Sequence, residues 1–340
     1  MRKNFRRLSP PITTKDAIRR WGTIIGTTDS WLRGKAIGRL ETKLAALASV
    51  DPECVVATDT CTNALAAAGH VVFNMYYAGG GSLHVCPLTY AGTYSWAEHA
   101  KKWVDCDEEG WPLGRVDVAV ELWGRSVPHL WGGPSFGVAP IVDAAHRFRP
   151  EEVLAHFEAG SKAVCWSFGP MKELPGVRGG AAVFASAVSA KRARDFLNNG
   201  IVEGCPRGAP GRKGLMMNID AVFLESQLRD APRWQQLRQR VLEFYDRYFP
   251  TGSRVATLMT RPGVASGHLC VLRFPNKERR DFVRHWLRNP AIDTSVHYPV
   301  PDDAPPGAKE LSGRILSLPC HPRMRFCDVR RICNFIIRAG

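Results

Sequence analysis

Long apolar runs are missing from this chain: none approaches the ~18 uninterrupted residues that a membrane span needs. The first 21 residues are basic and are broken by Pro10 and Pro11, so no secretory leader is expected either. These absences predict a soluble, cytoplasmic protein without a membrane partner. Also missing is any Cys-x-x-Cys pair among the ten cysteines. Most of them sit in apolar runs such as Glu53-Cys54-Val55-Val56, which predicts buried, reduced thiols. Cys327 and Cys333 lack the second ligand pair that structural zinc would want, so no metal is expected. No repeat or low-complexity tract is visible.

Carboxylates are in short supply: 32 Asp and Glu face 46 Lys and Arg, a net charge of +14. That excess suits a polyanionic partner, DNA among them. The basic residues form scattered clusters, including Arg2, Lys3, Arg6 and Arg7, then Lys191, Arg192 and Arg194, then Arg330 and Arg331. A solvated basic surface is the alternative, because sequence alone locates no single stripe.

What is present reads as globular. The chain has 340 residues, 45% of them apolar, enough for a large core and a smaller lobe. From 53 to about 186, short apolar runs alternate with turn or helical segments, which predicts an α/β unit with a mainly parallel sheet. The expected strands are 54–58, 82–86, 116–122, 139–142, 163–167 and 181–185. A helix over 62–76 follows the turn at Thr60, Cys61 and Thr62, and its N-terminus is a natural phosphate seat. Beyond a loop at 206–214 rich in Gly, Pro and base, a helical stretch over 219–248 must be interrupted or kinked by Pro232. It leads to a strand over 267–274 and helices over 277–287 and 327–337. The expected organisation is an N-terminal basic arm and entry helix at 1–30, a large domain at 31–215, a linking helix at 216–250 and a small α/β domain at 251–340.

Two segments carry chemistry. In Ile141-Val142-Asp143-Ala144-Ala145-His146 a carboxylate ends a buried strand, where α/β folds place ligand groups. A lone acid there is also a common helix cap. In Trp166-Ser167-Phe168-Gly169-Pro170-Met171-Lys172 a lysine lies just past another strand. Partial desolvation would lower its pKa and free its amine for Schiff-base chemistry, whereas a surface loop would leave it an ordinary cation.

Taken together, these segments resemble the DegT/StrS type of nucleotide-sugar aminotransferases, a branch of the fold type I pyridoxal 5′-phosphate (PLP) enzymes. The likeness runs collinearly from about Thr13 to Cys333. Thr60-Cys61-Thr62-Asn63-Ala64-Leu65 is similar to the family's phosphate turn, and Pro87-Leu88-Thr89-Tyr90 to the loop that lays an aromatic ring over the cofactor. Asp143-Ala144-Ala145-His146, the span from Ser167 and Phe168 to Lys172, and Gly179-Gly180 match further elements. Gly211-Arg212-Lys213, His297-Tyr298-Pro299 and Leu316-Ser317-Leu318-Pro319 resemble later landmarks.

The resemblance implies a PLP-binding large domain in a three-layer α/β/α arrangement with a small C-terminal α/β domain. Lys172 would form the Schiff base and move the proton. Asp143 would keep the pyridine nitrogen protonated, Tyr90 would stack on the ring, and His146 would lie near the ring hydroxyl. Thr60, Cys61, Thr62 and Ser167 would hold the phosphate, helped by Lys213 from a neighbouring subunit, which implies a homodimer with shared active sites. Arg178, His297 and Tyr298 would face the substrate. Three departures stand out: Cys61 replaces a glycine, Arg178 replaces a glutamate, and Lys213 and Leu215 alter the interface loop. The implied reaction is transamination of a nucleotide-linked keto sugar. The excess charge favours an alternative in which the same cofactor decarboxylates or transaminates an amino-acid-substituted base in DNA, as in hypermodified phage thymine. A non-catalytic binding protein of the same fold is a third reading, against which the Asp143 and Lys172 pair argues.

Overall fold

The computed structural model describes residues 34–73, 82–97, 101–127, 138–206, 210–250 and 252–339, together with 15, 19 and 22. The basic residues Arg2, Lys3, Arg6, Arg7, Arg20 and Arg207, and with them most of the expected N-terminal arm, lie outside the described residues.

Helix α1 (Lys35–Ala48) leads into strand β1 (Val55–Thr58) and helix α2 (Cys61–Phe73). Strands β2 (Leu83–Val85) and β3 (Lys101–Trp103) follow, then β4 (Val118–Val120), β5 (Ile141–Asp143), helix α3 (Val153–Glu158), β6 (Ala163–Ser167), β7 (Gly180–Phe184) and helix α4 (Ala187–Leu197). The central sheet has the order β1-β7-β6-β5-β4. Its strands β4, β5 and β6 are parallel, but β7 runs antiparallel to both β1 and β6.

Alternation along the strands explains the layers. Val56, Ile141, Ala163, Cys165, Ala182 and Phe184 pack on one side with Ala and Leu residues of α2 and with Phe196 and Leu197 of α4. Val55, Ala57, Val142, Val164, Trp166 and Val183 pack on the other with Leu40 and Leu44 of α1. Two-sided burial of consecutive residues is why these strands read as unbroken apolar runs.

Two departures from expectation are local. The strand at 82–86 does not enter the central sheet; β2 pairs in parallel with β3, and a backbone bond from Asp117 N to His84 O ties this ladder to the end of β4. The β3 segment went unforeseen because Lys101, Lys102 and Trp103 are only half-buried or exposed, which leaves no apolar alternation to detect.

The helical stretch after the loop divides into α5 (Asn218–Leu228) and α6 (Ala231–Asp246), with Pro232 in the first turn of α6, where its missing N–H costs nothing. Between 201 and 206 lies a small ladder of β8 (Ile201–Val202) and β9 (Cys205–Pro206). The rest of the chain builds an antiparallel sheet of β10 (Thr257–Leu258), β11 (Cys270–Arg273) and β12 (Ile315–Leu318). Helices α7 (Lys277–Arg288), α8 (Pro306–Arg314) and α9 (Phe326–Ala339) accompany it. Helix α6 straddles two cores: Ala231 and Trp234 pack in the α1 layer, whereas Val241, Leu242 and Tyr245 pack with β11, β12 and α9. Eight of the ten cysteines are buried, Cys205 and Cys327 are exposed, and all are free.

Candidate active site

Strand ends and one helix start converge on a cavity of about 450 Å³. Thr60, Cys61 and Thr62 come from the start of α2, Asp143 from the last position of β5, Ser167 from the last position of β6 and Lys172 from the loop beyond it. Tyr90, His146, Arg178, His297 and Tyr298 also line it. Lys213 does not: it is exposed, in a bridge to Asn198 beside the β1–α2 turn.

Asp143 is the most heavily supported of these groups. Its Oδ2 accepts from Thr93 Oγ1 at 2.7 Å and its Oδ1 from Ala145 N at 3.0 Å. Thr93 Oγ1 has one proton and spends it on the carboxylate, so the 2.9 Å contact with Thr89 Oγ1 has Thr89 as donor. Burial raises the carboxyl above its ordinary pKa, while the Thr93 bond, the Ala145 amide and the charge of Lys172 pull it back. A cation against its free face would favour the ionised form further. Burial likewise lowers the Lys172 ammonium, partly offset by Cys61, Asp143 and Glu173, and eases release of the neutral amine.

The proton positions on His146 follow from its partners. Nδ1 accepts from the Trp123 amide at 3.2 Å, an arrangement made with Trp123 in the left-handed region at φ 60°. Burial, first of all, and then Lys172 and His297 hold the ring well below its usual pKa, so the neutral imidazole carries its one proton on Nε2. The 2.6 Å contact from Nε2 to Tyr298 Oη therefore has His146 as donor. The Tyr298 hydroxyl is thus an acceptor toward His146 at the cavity wall.

Glycines let the walls close. A Cβ on Gly180 would lie 2.6 Å from Cys61 N, and one on Gly92 would lie 2.7 Å from Thr62 Oγ1 and 2.9 Å from the Tyr90 ring. Cys61 itself buries its side chain in the α2 core cluster. Arg178 extends half-exposed and donates from Nε to Asp220 Oδ2 at 3.0 Å.

Sequence reasoning missed Thr93, Asp220, His268 and Arg238. His268 lines the cavity with its ring 4.9 Å from that of His146, and its Nδ1 is buried with no hydrogen-bond partner among the described residues. Its place just ahead of the apolar run Leu269-Cys270-Val271-Leu272 was the available signal. Arg238, buried on α6, donates to the carbonyls of Met171, Gly267 and Cys320; its guanidinium thus grips the residues preceding both Lys172 and His268.

Burial is also the main reason that His268 sits well below its ordinary pKa. A histidine whose folded pKa is depressed stabilises the fold fully above its unfolded value of ~6.5 and loses that contribution as pH falls below it. Asp143 and Glu121, raised mainly by burial, act in the opposite sense at lower pH, so the informative quantity is a difference. In the absence of added ligand, His268→Leu should lose less thermal stability than wild type between about pH 7.5 and 5.5. Identical pH dependence in the two proteins would show that His268 is not held neutral.

A central sheet covered on both faces, with a lysine and a carboxylate at one cavity beyond its strand ends, is the architecture of the fold type I class. Residues 135–337 match the DegT/DnrJ/EryC1/StrS aminotransferase family, and the chain belongs to that family. It is 28% identical over 222 residues to the erythromycin biosynthesis sensory transduction protein EryC1 of Saccharopolyspora erythraea, covering 58% of this chain and 60% of that one. It is 26% identical over 234 residues to the dTDP-3-amino-3,4,6-trideoxy-alpha-D-glucose transaminase of Streptomyces venezuelae, covering 61% of each. The matched stretch thus spans about three fifths of these curated relatives. In fold, it resembles the aminotransferase TlmJ of Streptoalloteichus hindustanus with a TM-score of 0.83 over 99% of both chains, at 19% identity.

Proposed function

We propose that this protein is a PLP-dependent aminotransferase that exchanges the keto oxygen of a sugar on a nucleoside diphosphate for an amino group taken from an amino acid. The observation that carries this reading is that Asp143 and Lys172 line one cavity together with Thr60 and Thr62 at the start of a helix and Ser167 at the end of β6. The donor set suits the cofactor: hydroxyls and a helix N-terminus for a phosphate, a hydrogen-bonded carboxylate for a protonated ring nitrogen, and a desolvated amine for the aldehyde. When bound, PLP supplies a carbonyl that captures amines and a ring that takes up the electrons left by a broken C–H bond.

The chain's own groups do the rest. Lys172 Nζ, once neutral, would be the base that takes a proton from the amine-bearing substrate carbon and delivers it to the carbon on the other side of the nitrogen. Asp143 would hold positive charge against its carboxylate, whose Oδ2 is fixed by Thr93. Tyr90 would lie over the ring, and Tyr298, accepting from His146, presents its hydroxyl group at the cavity wall. Arg178, held at the cavity by Asp220, is suited to a carboxylate or phosphate. Lys213, outside its own cavity and beside the β1–α2 turn, would serve the phosphate of a second protomer in a homodimer.

The test is direct. Purified protein with PLP and an amino-acid donor should convert a dTDP- or UDP-linked keto sugar to the amino sugar, seen as the corresponding mass change. A second reading, decarboxylation or transamination of an amino-acid-bearing base in DNA, draws on the net charge of +14. Turnover on such a base, with none on any nucleotide keto sugar, would replace the first reading by the second.

A further inference from the structure

The positive charge is unevenly spread. Residues 251–340, about a quarter of the chain, hold 15 Lys and Arg against 7 Asp and Glu, an excess of eight out of the net fourteen. Helix α9 shows where part of it goes. Its inner face buries Val329, Ile332, Cys333 and Ile336. Its outer face carries Arg330, Arg331, Asn334, Phe335 and Arg338 along a groove of about 440 Å³ that no carboxylate lines. The helix's one acid, Asp328, is buried and faces Arg325.

Phe335 lines this groove, and further aromatic rings are exposed on α9 and on the helix packed beside it. Phe326 is 40% exposed with Arg330 5.9 Å above its ring. On α7, which packs beside α9, Phe282 and Trp286 are 50% and 40% exposed and stack on one another at 6.4 Å and 13°, with Arg279 5.6 Å over Phe282. Arginines gathered on one face with no acid among them make a positive surface, and exposed large aromatics gain nothing from solvent. Neither Arg330 nor Arg338 has a carboxylate partner among the described residues. A positive groove on a helix about 20 Å long, with exposed rings on that helix and its neighbour, matches what an unpaired strand requires: charge for its phosphates and flat faces for its bases.

We propose that the outer face of α9, with Phe282 and Trp286 of α7, is a docking surface for single-stranded nucleic acid. The surface stands apart from the residues lining the cavity, so it holds or fails independently of the reaction assigned there.

Fluorescence anisotropy with a labelled, mixed-sequence DNA strand of about 20 nucleotides tests it. Three phosphates neutralised by arginine would weaken binding roughly 20-fold between about 50 and 200 mM salt. The triple variant Arg330→Gln, Arg331→Gln, Arg338→Gln should flatten that salt dependence and bind at least about 10-fold more weakly. The pair Phe282→Ala, Trp286→Ala should bind about 10-fold more weakly with the salt slope unchanged, as lost stacking requires. Circular dichroism shows whether each variant is folded. Three outcomes overturn the proposal: no binding at low salt, a folded triple variant that binds like wild type, or heparin and duplex DNA bound as tightly as the single strand with no effect of the aromatic substitutions. The last would mark a general cation-exchange surface.

Discussion

Lys172→Ala is expected to bind PLP without the visible, borohydride-sensitive absorbance that wild type should show, and to lose at least about 10³-fold in transamination. General acid–base transfer alone contributes ~10²–10⁴-fold, and this residue has a second task in holding the cofactor covalently. Its side chain lies at the cavity, half-buried and desolvated, so removing it deletes an awkward cation without leaving a core void. Loss of function should therefore come without loss of fold. Lys172→Arg separates charge from reactivity, because a guanidinium stays protonated and should restore neither absorbance nor turnover. A variant lacking the amine that still showed the band would end the enzyme reading.

The second large effect concerns Asp143. Asp143→Asn keeps an oxygen for Thr93 to donate to and keeps the volume of a residue only 3% exposed, yet it removes the negative charge. A preorganised electrostatic group of this kind is worth about 10²–10³ in turnover, and the fall should appear in kcat more than in the affinity for PLP. Thr93→Val is the companion variant: it leaves the carboxylate in place, removes a charge-assisted hydrogen bond worth about 1.5–3 kcal/mol, and should cost less. Unchanged kcat in Asp143→Asn, in folded protein carrying PLP, would remove the carboxylate from the mechanism.

Much of the site lay open in the sequence because its key residues fall where apolar runs stop. Asp143 ends β5 and Ser167 ends β6, and such ends are visible without coordinates. Strand direction is not visible in this way: β7 has the same apolar run as its neighbours and yet runs against them, since local periodicity carries no sign. Thr93 stayed hidden because its meaning lies in a bond to a residue 50 positions away. The exchange of an acid for Arg178 was plain, but its pairing with Asp220 across 42 positions was not. Arg238 was the hardest to see, one arginine of a basic helix distinguished only by being 1% exposed.

That arginine joins parts of the molecule that also share a core of Leu122, Trp123, Leu269 and Val271. Its helix is rooted in both cores, and its guanidinium bonds at once to the peptide ahead of Lys172 and to the peptide ahead of His268. The two sides of the cleft are thus riveted through one guanidinium among other ties, and parting them would strand a buried cation away from its carbonyls. The spacing between amine and imidazole is accordingly set by the polypeptide before any ligand arrives, so binding energy need not be spent on assembling it.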